Sequence, residues 1–477
     1  MRPATRSIPL RVIPAAPAMA SSMFSGVASW TTPSEWLRFE MNGRSFLYVA
    51  RGSHIYEVDA AAADRLHSVD GTSELDRIAA LGVPVVAPPR GWKDGAPSMR
   101  SLSLAVAQTC NLGCSYCYAQ QGEFGGERQL MPAHVATAAI DRLFAENRTG
   151  ERVHLSFLGG EPLINRQVLR LATEHAQRRS REHRIEVGFS ITTNGTLLTI
   201  EDGAFFEAHG FAVTISLDGV AETHDQLRPY RDRRGSYDHI MTRLAPLLQF
   251  QRRMQVSARV TVTPRNLDLR RTLDEFIAMG FHSVGFSPML ASPTAHDEMQ
   301  AADLEEMLRR MIDCGREFER QVVAGVRYPF TNMTNAMREI HQGACRPYPC
   351  GAGAEYFGVS ASGELSACHR FVNDDAGAMG TLSNGVDVSH QQQWLSERHV
   401  DRQEPCNSCW ARYLCGGGCH HEVSHRGRMA CDYIRGWLEY TLTAYARLSD
   451  ARPQYFAPSG RQSSQVSDVL AATRPQV

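Results

Sequence analysis

A chain of 477 residues is too long for one ordinary hydrophobic core and is expected to divide into two to four domains. Fifty basic residues against fifty-one acidic leave a net charge of −1, which argues against nucleic acid or any polyanion held by bulk electrostatics. Lys93 is the sole lysine among the fifty, so chemistry built on a motif lysine, such as a Schiff base or a phosphate-binding loop, is excluded.

In chain order, residues 1–33 carry no acidic side chain, and Pro9, Pro14 and Pro17 interrupt every apolar run. The segment reads as a flexible tail rather than an export signal. No run of roughly eighteen apolar residues occurs anywhere, so no membrane-spanning helix is expected and the chain reads as cytoplasmic. Residues 34–98 alternate as short strands at 40–42, 45–49 and 55–58, followed by helical runs at 60–68 and 73–81. Residues 91–97, Gly-Trp-Lys-Asp-Gly-Ala-Pro, read as a linker.

From 99 to 326 a period appears. Apolar strands at 102–107, 153–158, 185–192, 213–217, 256–262 and 284–286 alternate with helical stretches near 131–147, 165–182, 201–209, 236–252, 268–279 and 302–325. Six strand-then-helix units predict an α/β fold with a parallel sheet buried on both faces, a partial (β/α)6 barrel two units short of closure and open at one side. Residues 327–446 lose this period and become rich in Gly, Pro and Cys, with a weak hairpin at 357–365 and a last helix near 432–448. Such a region needs more than an apolar core, and metal clips are the usual remedy. Residues 447–477 read as a polar tail.

Twelve cysteines in a chain of this type point to metal or catalysis before disulfides. At the end of the first barrel strand stands Cys110-Asn-Leu-Gly-Cys114-Ser-Tyr116-Cys117, where barrel chemistry collects. Three thiolates on one loop can hold three irons of a cubane and leave the fourth open. With an aromatic residue before its last cysteine, this loop resembles that of the radical S-adenosylmethionine superfamily. The resemblance continues at Gly159-Gly160-Glu161-Pro162, Thr193-Asn194-Gly195, Ser216-Leu217-Asp218-Gly219 and Arg259, on four successive strands. It implies that Tyr116, Gly159, Gly160, Glu161, Thr193, Asn194, Ser216 and Arg259 surround S-adenosylmethionine. Glu161 and the glycine backbone would hold its amino group, and Ser216 and Arg259 its carboxylate.

The remaining cysteines fall as Cys345, Cys350 and Cys368, then Cys406-x2-Cys409-x5-Cys415-x3-Cys419 and Cys431. This pattern resembles the SPASM extension of peptide-modifying radical enzymes. By that resemblance Cys345, Cys350, Cys368 and Cys419 ligate one auxiliary four-iron cluster, and Cys406, Cys409, Cys415 and Cys431 another, making three [4Fe-4S] clusters with that of Cys110, Cys114 and Cys117. A pair of zinc knuckles is the competing reading, because Cys-x-x-Cys also suits tetrahedral zinc. Cys314 is left over as a buried apolar residue.

Two further features bear on chemistry. His421-Glu422-Val-Ser-His425 spells a metalloprotease signature but follows a glycine-rich run and is read as coincidence. His369 follows Cys368, where sulfatase-maturing relatives carry an aspartate proposed as a base. It and Asp225, in a run dense with polar groups that also allows an Asp225–Arg228 surface pair, are the candidate catalytic residues.

Over residues 34–446 the chain most resembles the maturases of quinohemoprotein amine dehydrogenase. The resemblance implies reductive cleavage of S-adenosylmethionine to a 5′-deoxyadenosyl radical, hydrogen abstraction from Asp or Glu side chains, and thioether bonds to cysteine in the small subunit. It further implies a reductant such as a flavodoxin or ferredoxin, and leaves room for another maturation protein. The N-terminal unit resembles small peptide-recognition domains that pair a leader to an edge strand. Another SPASM maturase, forming sulfur-to-α-carbon or carbon–carbon links, and a non-catalytic iron-sulfur or zinc module stand as alternatives.

Overall fold

A computed structural model describes residues 11–12, 34–59, 64, 66, 73–89 and 97–457. Residues 91–96 of the expected linker and most of the expected helix at 60–68 lie outside the described residues, as does most of the tail at 1–33. Within that tail, β1 (Arg11–Val12) is a strand, pairing parallel with β4 (His54–Val58). A small sheet of order β1-β4-β3-β2 is completed by β3 (Arg44–Val49) and β2 (Trp36–Met41) at its outer edge. The helix α1 (Glu74–Ala80), capped by Ser73, buries Ile78 among Leu47, Val49, Tyr56 and Val58.

The barrel strands are β5 (Ser101–Gln108), β6 (Arg152–Gly159), β7 (Glu186–Thr193), β8 (Ala212–Ser216), β9 (Gln255–Val262) and β10 (Ser283–Pro288). All six run parallel. Their helices are α2 (Ala133–Ala145), α3 (Arg166–His183), α4 (Ile200–His209), then α5 (Ala221–Leu227) with α6 (Tyr237–Leu248), α7 (Leu269–Ala278) and α8 (Ala301–Val323). Every residue of β5 is buried, as a parallel strand covered on both faces requires. Cys314 is fully buried in the core among the residues of α8.

The sheet does not stop at β5. The strand β11 (Tyr356–Val359) from the cysteine-rich region pairs parallel with β5, Tyr356 opposite Ser101 and Val359 opposite Leu104. Antiparallel strands β12 (Glu364–Ser366), β13 (Ala378–Thr381) and β14 (Gly385–Val386) then prolong it. The expected hairpin is therefore the seventh strand of the barrel sheet, and it covers one of the two edges expected to be open. At the other edge, α9 (Thr331–His341) brings Asn332, whose amide oxygen accepts the Phe286 N–H at 2.9 Å and whose NH2 donates to the Phe286 carbonyl at 3.0 Å. One side chain thus satisfies both backbone groups of an edge residue.

The chain continues through α10 (Val388–Arg398), α11 (Arg412–Cys415), α12 (His420–Arg426) and α13 (Cys431–Ala451). The boundary expected at 446/447 falls inside α13, beyond which Phe456 packs on Tyr445 and on His341. The N-terminal unit is bolted to this region, with Arg412, almost wholly buried, donating to Glu35 at 2.5 Å. Among the described residues no helix is long and apolar enough to cross a membrane.

Candidate active site

The loop carrying Cys110, Cys114 and Cys117 leaves the end of β5, and its neighbours hold it by backbone contacts. The Gly160 N–H donates to Ala107 O at 2.8 Å and the Glu161 N–H to Thr109 O at 2.9 Å. The approach is so close that a Cβ on Gly159 would lie 2.2 Å from Ala107 O, and one on Gly160 2.3 Å from Thr109 O. Both positions therefore demand glycine. From the other side, the Gly113 N–H donates to Pro229 O at 2.8 Å, and Leu112 bridges to Tyr230. The Asn194 amide donates to Asn111 Oδ1 at 3.0 Å and approaches Cys110 Sγ at 3.6 Å.

Burial pushes the Cys110 thiol up to about 11 and the Cys114 thiol up to about 12. Such thiols ionise only against a cation, and three of them on one loop, none in a disulfide, are suited to a multi-iron centre with one open iron.

Glu161 is fully buried, and its carboxyl is raised by burial against three hydrogen bonds that favour the charged form. Oε1 accepts the Thr193 hydroxyl at 2.7 Å and the Leu163 N–H at 3.0 Å, and Oε2 accepts the Asn194 N–H at 2.7 Å. One lone pair of Oε2 remains for an ammonium group. Ser216 and Arg259 stand opposite each other in the β8–β9 ladder. The Arg259 guanidinium makes no ion pair among the described residues, and burial, then neighbouring Arg370, lowers it to about 10. A carboxylate brought beside it would favour its charged form.

The candidate residues part company at 218–228. Asp218 is fully buried and receives the Tyr116 hydroxyl, while Arg228 Nη1 donates to Tyr116 Oη at 2.7 Å and lies 3.6 Å from Asp218 Oδ2. The Tyr116 ring packs against Leu227 and Met289. The surface pair expected between Asp225 and Arg228 does not form. Asp225 Oδ1 instead accepts the N–H groups of Ser236 at 2.7 Å and Tyr237 at 2.8 Å. These bonds tie Asp225 to the unsatisfied start of α6.

In the cysteine-rich region burial, then the neighbouring thiols of Cys419 and Cys350, raises Cys368, and burial raises Cys406 and Cys415, with Cys409 and Cys431 near both. Cys345 accepts hydrogen bonds from the Gly52 amide and Ser53 hydroxyl of the N-terminal unit. His369 is held by Tyr356, whose hydroxyl lies 2.7 Å from His369 Nδ1 and 2.7 Å from Ser103 Oγ on β5. Burial, then Arg370, lowers His369 to about 3, so it is a neutral imidazole and a weak base. Arg370 pairs with Glu422 at 2.6 Å, reaches Cys419 Sγ at 3.7 Å and lies over the Tyr118 ring. Arg228, Tyr118, Tyr356 and Arg370 thus join the site through the fold, while Asp218 already stood in the Ser216–Gly219 motif.

Residues 104–250 match the Radical SAM superfamily. The chain is 24% identical over 367 residues to the serine-type anaerobic sulfatase-maturating enzyme of Klebsiella aerogenes, covering 74% of this chain and 87% of the relative. It is 24% identical over 350 residues to the cysteine-type enzyme of Clostridium novyi, covering 67% and 88%. The solved structure of native anSMEcpe with bound AdoMet and Kp18Cys peptide superposes with a TM-score of 0.61 at 19% identity, over 73% of this chain and 99% of that one. With a superfamily match across the cysteine loop and a shared fold through both regions, this chain is a radical S-adenosylmethionine enzyme related to the anaerobic sulfatase-maturating enzymes.

Proposed function

We propose that the enzyme matures a polypeptide by closing thioether bonds, from cysteine sulfur to Asp or Glu side-chain carbon, in the small subunit of quinohemoprotein amine dehydrogenase. The observation that carries the maturase reading is the seam between β5 and β11. It sets the Cys368–Arg370 turn against Tyr118, next to the first cysteine loop, with Tyr118 and His369 rings 6.0 Å apart. Cys110, Cys114 and Cys117 would hold one [4Fe-4S] cluster, and two auxiliary clusters would take the other eight cysteines. When bound, the first cluster and S-adenosylmethionine supply a one-electron cleavage whose net result with substrate is thioether, methionine, 5′-deoxyadenosine and one proton.

The chain's own residues bind and orient. Arg259 and Ser216 receive the cofactor carboxylate and the Glu161 lone pair its ammonium, while Asn194 steadies Cys110. Neutral His369 stands where sulfatase-maturing relatives carry an aspartate, which favours a reaction other than theirs and a role in positioning through Tyr356. Peptide substrate is supported by the outer edge of β2. Residues 37–40 border a cleft of about 950 Å³ closed by Arg316, Glu319, Tyr440 and Arg447, a setting for an added strand.

The test is anaerobic reconstitution with iron and sulfide, then reductant, S-adenosylmethionine and the candidate subunit. About twelve irons per chain, 5′-deoxyadenosine, and loss of two hydrogens per link located at cysteine are expected. Absence of 5′-deoxyadenosine overturns the radical chemistry. Its formation with a link elsewhere than sulfur moves the enzyme to another SPASM reaction.

A further inference from the structure

The His421-Glu422-Val-Ser-His425 sequence, read above as coincidence, has a geometry that sequence did not foretell. It forms the seven-residue helix α12, and its two imidazoles stack on one face with centroids 4.2 Å apart. Asp374, from the turn after Cys368, meets them, so that one ligand atom from each of Asp374, His421 and His425 lies within 4.8 Å of the others.

Two further observations point to a ligand between them. His425 Nδ1 lies 2.8 Å from the His421 carbonyl oxygen. A carbonyl can only accept, so Nδ1 carries a proton, and in the neutral ring Nε2 presents a lone pair. In that form Nε2 faces Asp374 Oδ2 at 3.7 Å as an acceptor opposite an acceptor. Asp374 Oδ1 is already committed to the Ala376 N–H at 2.9 Å, which fixes where Oδ2 points. His421 is nine-tenths buried, and its Nδ1 has no hydrogen-bond partner. A cation shared by the two rings and the carboxylate would give His425 Nε2 and Asp374 Oδ2 a common partner. The Nδ1–H bond to a backbone carbonyl is the usual way a ligating imidazole is held.

We propose that Asp374, His421 and His425 form a mononuclear site for a borderline divalent cation of the zinc class, separate from the eleven cysteines. Two neutral nitrogens and one carboxylate oxygen suit such an ion better than calcium or magnesium. The half-exposed His425 ring leaves a way in and room for water as a further ligand. The site does not hydrolyse peptides, because Glu422, the base that the motif would need, is held by Arg370 at 2.6 Å. Its role is to pin the turn following Cys368 to the helix following Cys419, the two segments on which a cluster ligand set would converge.

The experiment uses the full chain with its clusters reconstituted, washed briefly with chelator, given Zn2+ and desalted. Zinc, iron and sulfide are counted, and the zinc environment is read by X-ray absorption. The expected result is about one zinc per chain with a nitrogen/oxygen shell near ~2.0–2.1 Å and no sulfur shell near ~2.3 Å. H425A and D374N are expected to lose zinc by about tenfold or more while retaining iron. Wild-type protein that retains no zinc, a sulfur shell, or variants that keep full zinc would each overturn the site.

Discussion

Arg228 is the charge on which the inner wall of the cysteine loop depends. It faces a carboxylate with no exposure and a buried phenol, so removing it strands Asp218 without a counter-charge. R228M is expected to cost about 3–5 kcal/mol, measured by urea unfolding, and to lower iron retention at the first loop. Sequence placed Asp218 in a strand-end motif and Asp225 in the polar run that follows, but could not say which of them turns inward. Which of them turns inward depends on α6 beginning at Tyr237 and claiming Asp225 as its cap. A second residue-scale effect lies at His154, whose ring is 2.8 Å from Ser190 Oγ and which burial lowers to about 3. The unfolded chain, titrating near about 6.5, binds the extra proton between those values, so stability is complete above about pH 6.5 and declines as pH falls. The expected slope is about 1.4 kcal/mol per pH unit. Urea midpoints should therefore fall from pH 7 to pH 5, and H154N should flatten the loss by about 2 kcal/mol at pH 5.

Elements were legible where local pattern decides them. The six parallel strands stand out as apolar runs since both their faces are covered, and the ends of each lie within two residues of their expected positions. The strand β11 was not legible as part of the barrel. Its four residues, Tyr-Phe-Gly-Val, fit any hairpin, and their partner lies some 250 residues earlier, beyond the reach of periodicity. Likewise the HExxH run was visible, but nothing local announced that Asp374 would face it. The Gly159-Gly160 loop was read as a cofactor clasp, and the structure adds a mechanical reason for both glycines. A Cβ at Gly160 meets backbone atoms of Thr109, which cannot swing aside as a side-chain tip can. G160A should displace the loop holding Cys110 and reduce iron from about twelve toward about eight per chain, while the auxiliary clusters remain.

On the scale of the molecule, the cysteine-rich region is part of the barrel's own sheet. Cutting the chain at the 326/327 boundary would uncover the backbone edge of β5 and, with it, Leu102 and Leu104, which are fully buried. Exposed apolar edge strands recruit other chains. A 34–326 fragment is therefore expected to aggregate on gel filtration, whereas the chain to residue 457 elutes as a defined species. The N-terminal unit follows the same logic, tied by Glu35 to Arg412 and by Arg44 to Asp450. Its sheet edge and α13 consequently face each other across the cleft at fixed spacing.

The pairing of β11 with β5 has a further meaning as a ruler. Tyr356 opposite Ser101 sets how far Cys368 sits from Cys110, in steps of one residue along two parallel strands. A slip by one residue would shift that separation by about 3.3 Å and turn Tyr356 away from both Ser103 and His369. The separation between the two cysteine groups is then graduated by backbone hydrogen bonds, and it is inherited from strand register rather than adjusted by a hinge.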